Sequence, residues 1–390
     1  MRLPFFAVSP PGLESITQHE LFTLGVNHPR AVSGGVEFEG FLSHLYKINL
    51  WSRTASRVLV RIGEFEAKSF AELERKAEQI KWGDFLKGGV ATNVRATCHK
   101  SKLYHSDGVA ERIAIAIKSQ IGENPKSQNP KPQKSNQQSP REASNLPSQL
   151  VVARLDHDHC TISLDSSGDH LHKRGYRLET AKAPLRENIA AALLLQAKYD
   201  PSQPLIDPFC GSGTFAIEAA MMARKIAPGL NRKFSFTHWK NFDTQTWGDL
   251  LREAKEKVED KIAPQIFASD RDAGAIEAAT ANAQRAGVAE TIRFDVRAFS
   301  AMEIPKDQGL MISNLPYGKR VSEDSDLRNL CAQLGKVARE KLEGWRLALL
   351  TDDPQKIKAA ALDLNVTLKT ENGGVRVVLL QTNDSPLAPL

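Results

Sequence analysis

Leu205-Ile206-Asp207-Pro208-Phe209-Cys210-Gly211-Ser212-Gly213-Thr214-Phe215 reads as a short buried strand, a glycine turn and the start of a helix. Two glycines let a backbone turn sharply and approach a ligand closely. Asp207 stands at the carboxyl end of the strand, the edge at which open α/β sheets bind ligands. The turn lacks Gly-x-Gly-x-x-Gly, because Ala216 fills the third position. It also lacks the Gly-Lys-Ser/Thr of a phosphate-binding loop, which argues against a nucleoside triphosphate. A tight turn without a ligand would use the same glycines, so the neighbouring segments decide.

Those neighbours alternate. A helix from Pro184 to Tyr199 precedes the strand. Further strands end near Ser269, Phe294, Ser313 and Thr351, and helices run near Gly213–Arg224, Thr246–Lys261, Asp272–Ala286 and Asp324–Leu342. Such alternation predicts a doubly wound, Rossmann-like parallel sheet. Two late strand-like runs, Asn365–Lys369 and Val375–Leu380, would close it as an antiparallel hairpin.

Ile266-Phe267-Ala268-Ser269-Asp270 ends in an acid and is followed by Arg271-Asp272 and a helix. Asp272 reads as the N-cap of that helix. Asp270 at the strand end is placed to accept hydrogen bonds from two ribose hydroxyls, although capping would also use an acid there. An acid for ribose without a pyrophosphate loop suggests a nucleoside cofactor lacking phosphates, and S-adenosylmethionine is the obvious one.

The apolar run Gly309 to Ile312 leads into Asn314-Leu315-Pro316-Tyr317. Asn and Pro are common turn residues. The same four residues also suit the holding of a planar exocyclic amine. The Asn carbonyl and a backbone carbonyl beside the Pro accept its two hydrogens, and the Tyr ring offers a stacking face.

The N-terminal half has a different order. Strands at Phe5–Val8, Gly35–Phe38 and Ser56–Ile62 alternate with helices at Leu13–Leu24 and Phe41–Leu50, a β-α-β-α-β unit of the α+β kind. A second unit follows: a helix at Ser69–Ile80, a strand at Ala91–Thr97, a helix at Asp107–Ile121, and strands at Leu150–Leu155 and Cys160–Leu164. Residues 123–149 are mostly Asn, Gln, Ser, Pro and Lys and read as a disordered insertion. The boundaries drawn are 1–62, 63–168 and 169–390.

Composition narrows the class. The 390 residues are 41% apolar and 25% charged, the values of an ordinary globular protein, and no apolar run reaches membrane-helix length. Four scattered cysteines without a Cys-x-x-Cys pair fit a reducing cytoplasm and argue against a disulfide framework or zinc site. His157, His159, His170 and His172 lack a completing Cys or carboxylate spacing, so no metal is expected. Residues 1–180 carry 24 Lys and Arg against 19 Asp and Glu, so most of the net charge of +6 sits there. Such an excess suits a phosphate backbone without requiring one. Lys100, Lys102, Tyr104 and His105 combine charge with aromatic rings, as do Lys173, Arg174, Tyr176 and Arg177. Each group is also what a solvated loop contains.

Asp207-Pro208-Phe209-Cys210-Gly211-Ser212-Gly213 with Asn314-Leu315-Pro316-Tyr317-Gly318-Lys319-Arg320 resembles the class I S-adenosylmethionine-dependent methyltransferases that modify guanine N2 in RNA. His172-Lys173-Arg174-Gly175-Tyr176-Arg177 and Ala183-Pro184-Leu185-Arg186-Glu187-Asn188 are similar to the junction of that family, and Ile226-Ala227-Pro228-Gly229 to its bacterial members. Ser101-Lys102-Leu103-Tyr104-His105-Ser106 resembles a THUMP domain, an RNA-binding module preceded by a ferredoxin-like domain. The bacterial large-subunit ribosomal RNA guanine-N2 enzymes are the nearest group.

The resemblance implies a cofactor site of Asp207, Pro208, Phe209, Gly211, Gly213, Thr214, Asp270, Arg271, Phe299 and Asn314. It implies a catalytic set of Asn314, Leu315, Pro316 and Tyr317, and RNA contacts from both basic clusters. Two departures stand out. Leu315 replaces the Pro of many members and occurs in related transfer RNA enzymes. Ala298 stands where an adenine-contacting acid is expected, which leaves adenine to backbone groups and to stacking on Phe299. Ribosomal RNA is the expected substrate and transfer RNA the alternative. Adenine N6 in DNA or a protein glutamine would need the N-terminal half to do something else, and intact Asp207, Gly211, Gly213, Asp270 and Asn314 argue against a non-enzymatic RNA scaffold.

Overall fold

A computed structural model describes residues 2–122, 148–178, 185–260, 265–305, 307–315 and 324–383, with 324–327 as backbone. Two seven-stranded sheets organise it.

The first sheet is built from β1 (Leu3–Val8), β2 (Arg30–Val32), β3 (Gly35–Gly40), β4 (Arg57–Glu66), β5 (Thr92–His99), β6 (Gln149–Asp156) and β7 (His159–Asp165), in the order β2-β3-β1-β4-β7-β6-β5. Helices α1 (Glu14–Thr23), α2 (Leu42–Trp51), α3 (Phe70–Glu78) and α4 (Ser106–Ile121) complete the lobe. Period-two alternation sets the faces: Leu3, Phe5 and Ala7 of β1 are buried. Only β5 and β6 run parallel, with Thr97 opposite Arg154 and His99 opposite Asp156. The two N-terminal units read from the sequence therefore share one sheet, because β4 pairs with β1 on one side and β7 on the other. The first unit also contains β2, absent from the sequence reading. It has three residues and no buried position to reveal it.

The second sheet has the order β10-β9-β8-β11-β12-β14-β13. Its strands are β8 (Leu205–Asp207), β9 (Ile266–Asp270), β10 (Ile292–Val296), β11 (Leu310–Asn314), β12 (Arg346–Thr351), β13 (Asn365–Asn372) and β14 (Val375–Gln381). The first five in spatial order are parallel, and β14 pairs antiparallel with both β12 and β13. Helices α5 (Glu187–Gln196), α6 (Thr214–Ala223), α7 (Thr244–Glu256), α8 (Ala273–Arg285), α9 (Asp324–Lys341) and α10 (Pro354–Ile357) connect them. This is the doubly wound sheet with a terminal hairpin that the alternation predicts. The chain winds from β8 outward to β10, then crosses back to lay β11 on the other side of β8. The crevice between the carboxyl ends of β8 and β11 is the topological switch point, where such sheets bind ligands.

The lobes are not strung in series. Phe234, Phe236 and Trp239, which follow α6, lie in the apolar core of the first lobe. The Phe236 ring stacks on Tyr46 with centroids 4.6 Å apart. In return Leu13, just before α1, is buried in the core of the second lobe. The Ile226–Gly229 loop abuts α2: Gly229 N–H donates to Leu50 O at 2.9 Å, and Arg53 donates to Ile226 O at 2.8 Å.

Candidate active site

The short strand β8 is wholly buried and delivers Asp207 to the switch point. Gly211 and Gly213 then adopt φ of +51° and +83°, a region that L side chains rarely occupy. A Cβ on Gly213 would also lie 3.0 Å from Ala279 Cβ of α8. The turn is therefore shaped by both conformation and close packing, and it releases the chain into α6.

Asp207 is 1% exposed, and its Oδ1 accepts from the Ser313 hydroxyl at 2.6 Å and the Phe209 amide at 3.4 Å. Burial pushes its carboxyl up to about 7, against the pull of those two donors and with a further push from Asp270. Asp207 thus ties β8 to β11 and shapes the turn rather than standing open to solvent. Ser313 was not singled out in the sequence, where it is one small residue in an apolar run.

Asp270, at the end of β9, accepts from the Gly211 amide at 3.0 Å through Oδ2 and from the Asp272 amide at 3.1 Å through Oδ1. A carboxylate has about four lone-pair sites, so capacity for hydroxyl donors is left. Asp272 caps α8 as its position suggests, Oδ1 accepting from Gly274 N–H at 2.9 Å. Arg271 is exposed beside it, Pro208 is buried, and Phe209 is half-buried.

Phe299 departs from expectation. It is 5% exposed and lies in an apolar cluster with Ile206, Met302, Met311 and Leu315, its ring 5.7 Å from that of Phe209. The short turn after β10 directs it inward, so the half-buried Phe209 has the more open ring.

Asn314 closes β11 on the other side of the crevice. Its side-chain oxygen is buried and has no hydrogen-bond partner among the described residues. Buried acceptors are nearly always satisfied, so such an atom calls for a donor outside the described residues. Leu315 is 1% exposed and its amide donates to Leu350 O at 3.0 Å, leaving only backbone to face a ligand at that position. Pro316 and Tyr317 lie outside the described residues.

The first basic cluster sits on one loop after β5: Lys100, Lys102, Tyr104 and His105 are exposed, and the Tyr104 and His105 rings are 4.1 Å apart. The second cluster is mostly interior. Arg174 and Tyr176 are 5% and 3% exposed. Arg174 donates to Arg53 O at 2.5 Å and lies 3.5 Å from Glu218, whose Oε1 also accepts from the Tyr176 hydroxyl at 3.1 Å. Arg177 pairs with Glu187 at 3.3 Å, the two side chains 9% and 6% exposed. The expectation that Arg174, Tyr176 and Arg177 grip RNA is therefore corrected: buried carboxylates partner them, and only Lys173 of that cluster is exposed.

The four histidines do not converge. His170 and His172 stack in the junction with centroids 5.2 Å apart. His157 instead meets His99 and Asp156, three groups whose potential ligand atoms lie within 4.8 Å of one another. Both rings share one carboxylate oxygen, at 2.9 and 2.8 Å, and these bonds hold Asp156 down at about 2. The hydrogen bonds account for this arrangement.

Residues 174–381 match the RMKL-like methyltransferase domain family, and residues 4–59 match the RlmL ferredoxin-like domain. The chain is 35% identical to a ribosomal RNA large subunit methyltransferase K/L of Syntrophotalea carbinolica, covering 100% of this chain but 56% of that protein. It is 34% identical to a Synechocystis sp. protein named as a candidate RNA methyltransferase, over 97% of this chain and 96% of the relative. Among solved structures, SMU.472, named as a candidate methyltransferase and complexed with SAH, superposes with a TM-score of 0.86 at 30% identity over 99% of both chains. A Listeria monocytogenes protein named for N6-adenine-specific DNA methylation gives 0.84 at 31% identity over 97% of this chain and 96% of its own. With more than half its length matched, and an RlmL-type ferredoxin-like segment ahead of the matched region, the chain belongs to the RMKL-like methyltransferase family.

Proposed function

We propose that this protein methylates the exocyclic N2 amine of a guanosine in large-subunit ribosomal RNA. S-adenosylmethionine is the donor and, when bound, supplies an electrophilic methyl group. The observation that carries the reading is the buried Asn314 oxygen at the switch point, across from the glycine turn, which has no partner among the described residues. The residues there fit a nucleoside cofactor: Gly211 and Gly213 provide a turn without side chains, and Asp270 has acceptor capacity for ribose hydroxyls.

The amine is a weak nucleophile because its lone pair is delocalised into the base. The protein's task is then to orient it and to stabilise the positive charge that develops on it. The Asn314 oxygen takes one amine hydrogen, and a backbone carbonyl of Leu315 or Pro316 takes the other. Tyr317 stacks on the base. No histidine is needed as a base and no metal as a Lewis acid. A base within a duplex cannot reach such a pocket, so the target is single-stranded or flipped out. The exposed Lys100, Lys102, Tyr104 and His105 support RNA as the bearer of the amine, with residues 63–168 as a THUMP-type module, 1–62 as the ferredoxin-like domain before it and the transfer domain from 169 onward.

A second reading, transfer RNA guanine N2, rests on Leu315. The Listeria relative's name raises a third, an adenine N6 amine in DNA. One experiment separates them. The purified protein is incubated with tritiated donor and with ribosomal RNA, transfer RNA, DNA or protein, and labelled nucleosides are identified by mass spectrometry. N2-methylguanosine in ribosomal RNA is expected. N6-methyladenine, or label confined to DNA or protein, would overturn the proposal.

A further inference from the structure

The buried junction segment also holds the cofactor turn. Residues 174–177 run along α6, the helix that begins at the glycine turn, and they hold it at two successive turns. At Glu218 the holders are Tyr176 and Arg174. At Thr214, the first residue of α6, the holder is Arg177, whose Nη2 donates to the Thr214 hydroxyl at 2.7 Å and to Leu185 O at 2.9 Å. A separate relay reaches the other side of the same turn. Arg285 donates to Tyr176 O at 2.7 Å and to Asn282 Oδ1 at 2.5 Å. Asn282, 0% exposed, in turn donates to Ser212 O at 3.1 Å. The residues on both sides of Gly213 are thus tied to the junction.

We propose that Arg177 is a positioning residue for the cofactor turn: by gripping Thr214 it fixes the backbone of Ser212–Thr214, while touching neither RNA nor the amine. The inference rests on the reading of that turn as the cofactor site. The physical need is plain. Two residues of the turn are glycines at positive φ with no side chain to anchor them, so contacts from neighbouring elements must set its place to within a fraction of an ångström. The planar guanidinium donates through Nη2 to Thr214 and Leu185 while its Nε lies 3.3 Å from Glu187, and a lysine ammonium cannot reach all three at once.

The test measures SAH affinity by calorimetry and ribosomal RNA affinity by filter binding on the full chain. Arg177→Lys keeps a cation beside Glu187, and Thr214→Val removes the accepting hydroxyl without disturbing that ion pair. Each is expected to weaken SAH binding about tenfold, with RNA affinity changed less than twofold. Thr214→Ser should retain near-normal SAH affinity. The double variant should be no worse than the poorer single one, because both remove the same contact. Unchanged SAH affinity in Arg177→Lys, additive losses in the double variant, or weakened RNA binding with SAH unaffected would each overturn the proposal. Asp270→Ala is measured alongside. If it also leaves SAH affinity unchanged, the cofactor reading of this edge fails, and the proposal with it. If it weakens binding while Arg177→Lys does not, the proposal alone fails.

Discussion

At the scale of single residues, Asn314 and Asp207 mark opposite demands at the switch point. Asn314 has a buried side-chain oxygen with no donor among the described residues, and that costs stability unless a donor arrives. Asn314→Ala is therefore expected to lower kcat by roughly 10²–10³, the usual scale for one transition-state hydrogen-bonding group. SAH affinity should stay nearly unchanged. Asp207 is the reverse case, a buried carboxyl already held by Ser313 and the Phe209 amide, whose ionisation is opposed by burial. Its folded value of about 7 is above the ordinary carboxylate value. The group therefore adds most to stability below about pH 4, and that contribution is lost as pH rises through 7. Asp207→Asn removes this titration. In denaturant unfolding of the ligand-free protein, the stability difference between variant and wild type should move in the variant's favour by roughly 2–4 kcal/mol between pH 4 and 8. Burial of His170 and His172 pushes them down to about 4 and about 3, so they act in the opposite direction as pH falls below 6.5. Both proteins share that slope, so it cancels in the difference. A constant difference across the range would show that Asp207 is ionised throughout.

At the scale of elements, the loop after α6 is where the second lobe is fastened to the first. A Cβ on Gly229 would lie 2.7 Å from Asn49 O and 2.8 Å from Leu50 Cα, both backbone atoms that cannot swing away. Gly229→Ala must therefore displace the loop and weaken the Gly229–Leu50 and Arg53–Ile226 hydrogen bonds. A loss of about 1–3 kcal/mol is expected, read as a lower denaturant midpoint at unchanged slope. Most elements were legible in the sequence because their signals are local. The apolar periods and glycine turns placed the carboxyl ends of the parallel strands to within a residue or two, and Asp272 announced the start of α8. The junction was not legible. Lys173 to Arg177 has the composition of a solvated basic loop, and only the distant Glu187 and Glu218 reveal it as an interior segment. Asn282 was overlooked for the same reason: one Asn in an alanine-rich helix carries no mark of the carbonyl it reaches across the fold. Phe299 was placed at the right strand end, yet the inward turn of its ring depends on packing against Phe209 and its neighbours.

At the scale of the whole molecule, sequence order and core membership part company. A linear division at residue 168 assigns Phe234, Phe236 and Trp239 to the catalytic lobe, yet they lie in the core of the first sheet. Nothing local in the sequence reveals such a return. Their polar contacts are as specific as their packing. Trp239 Nε1 donates to Gln149 Oε1 at 2.8 Å, Phe236 N–H to Ser166 O at 3.1 Å, and Lys240 N–H to Phe85 O at 2.7 Å. Burying three such aromatic side chains is worth roughly 5–9 kcal/mol at 1.5–3 kcal/mol each. That is comparable with the whole net stability of an ordinary domain, about 5–15 kcal/mol. Residues 1–168 alone would therefore keep the strands of the first sheet while exposing Tyr46 and Phe85, the rings that Phe236 and Trp239 cover. The expected outcome is strand signal in far-ultraviolet circular dichroism, strong binding of a hydrophobic dye and no cooperative thermal transition. Supplying residues 229–256 on a flexible linker should suppress the dye binding and restore a transition. The full chain should unfold in a single calorimetric step, because each lobe holds part of the other's core. A cooperative, dye-free 1–168 fragment would show that the first lobe is complete without the returning segment.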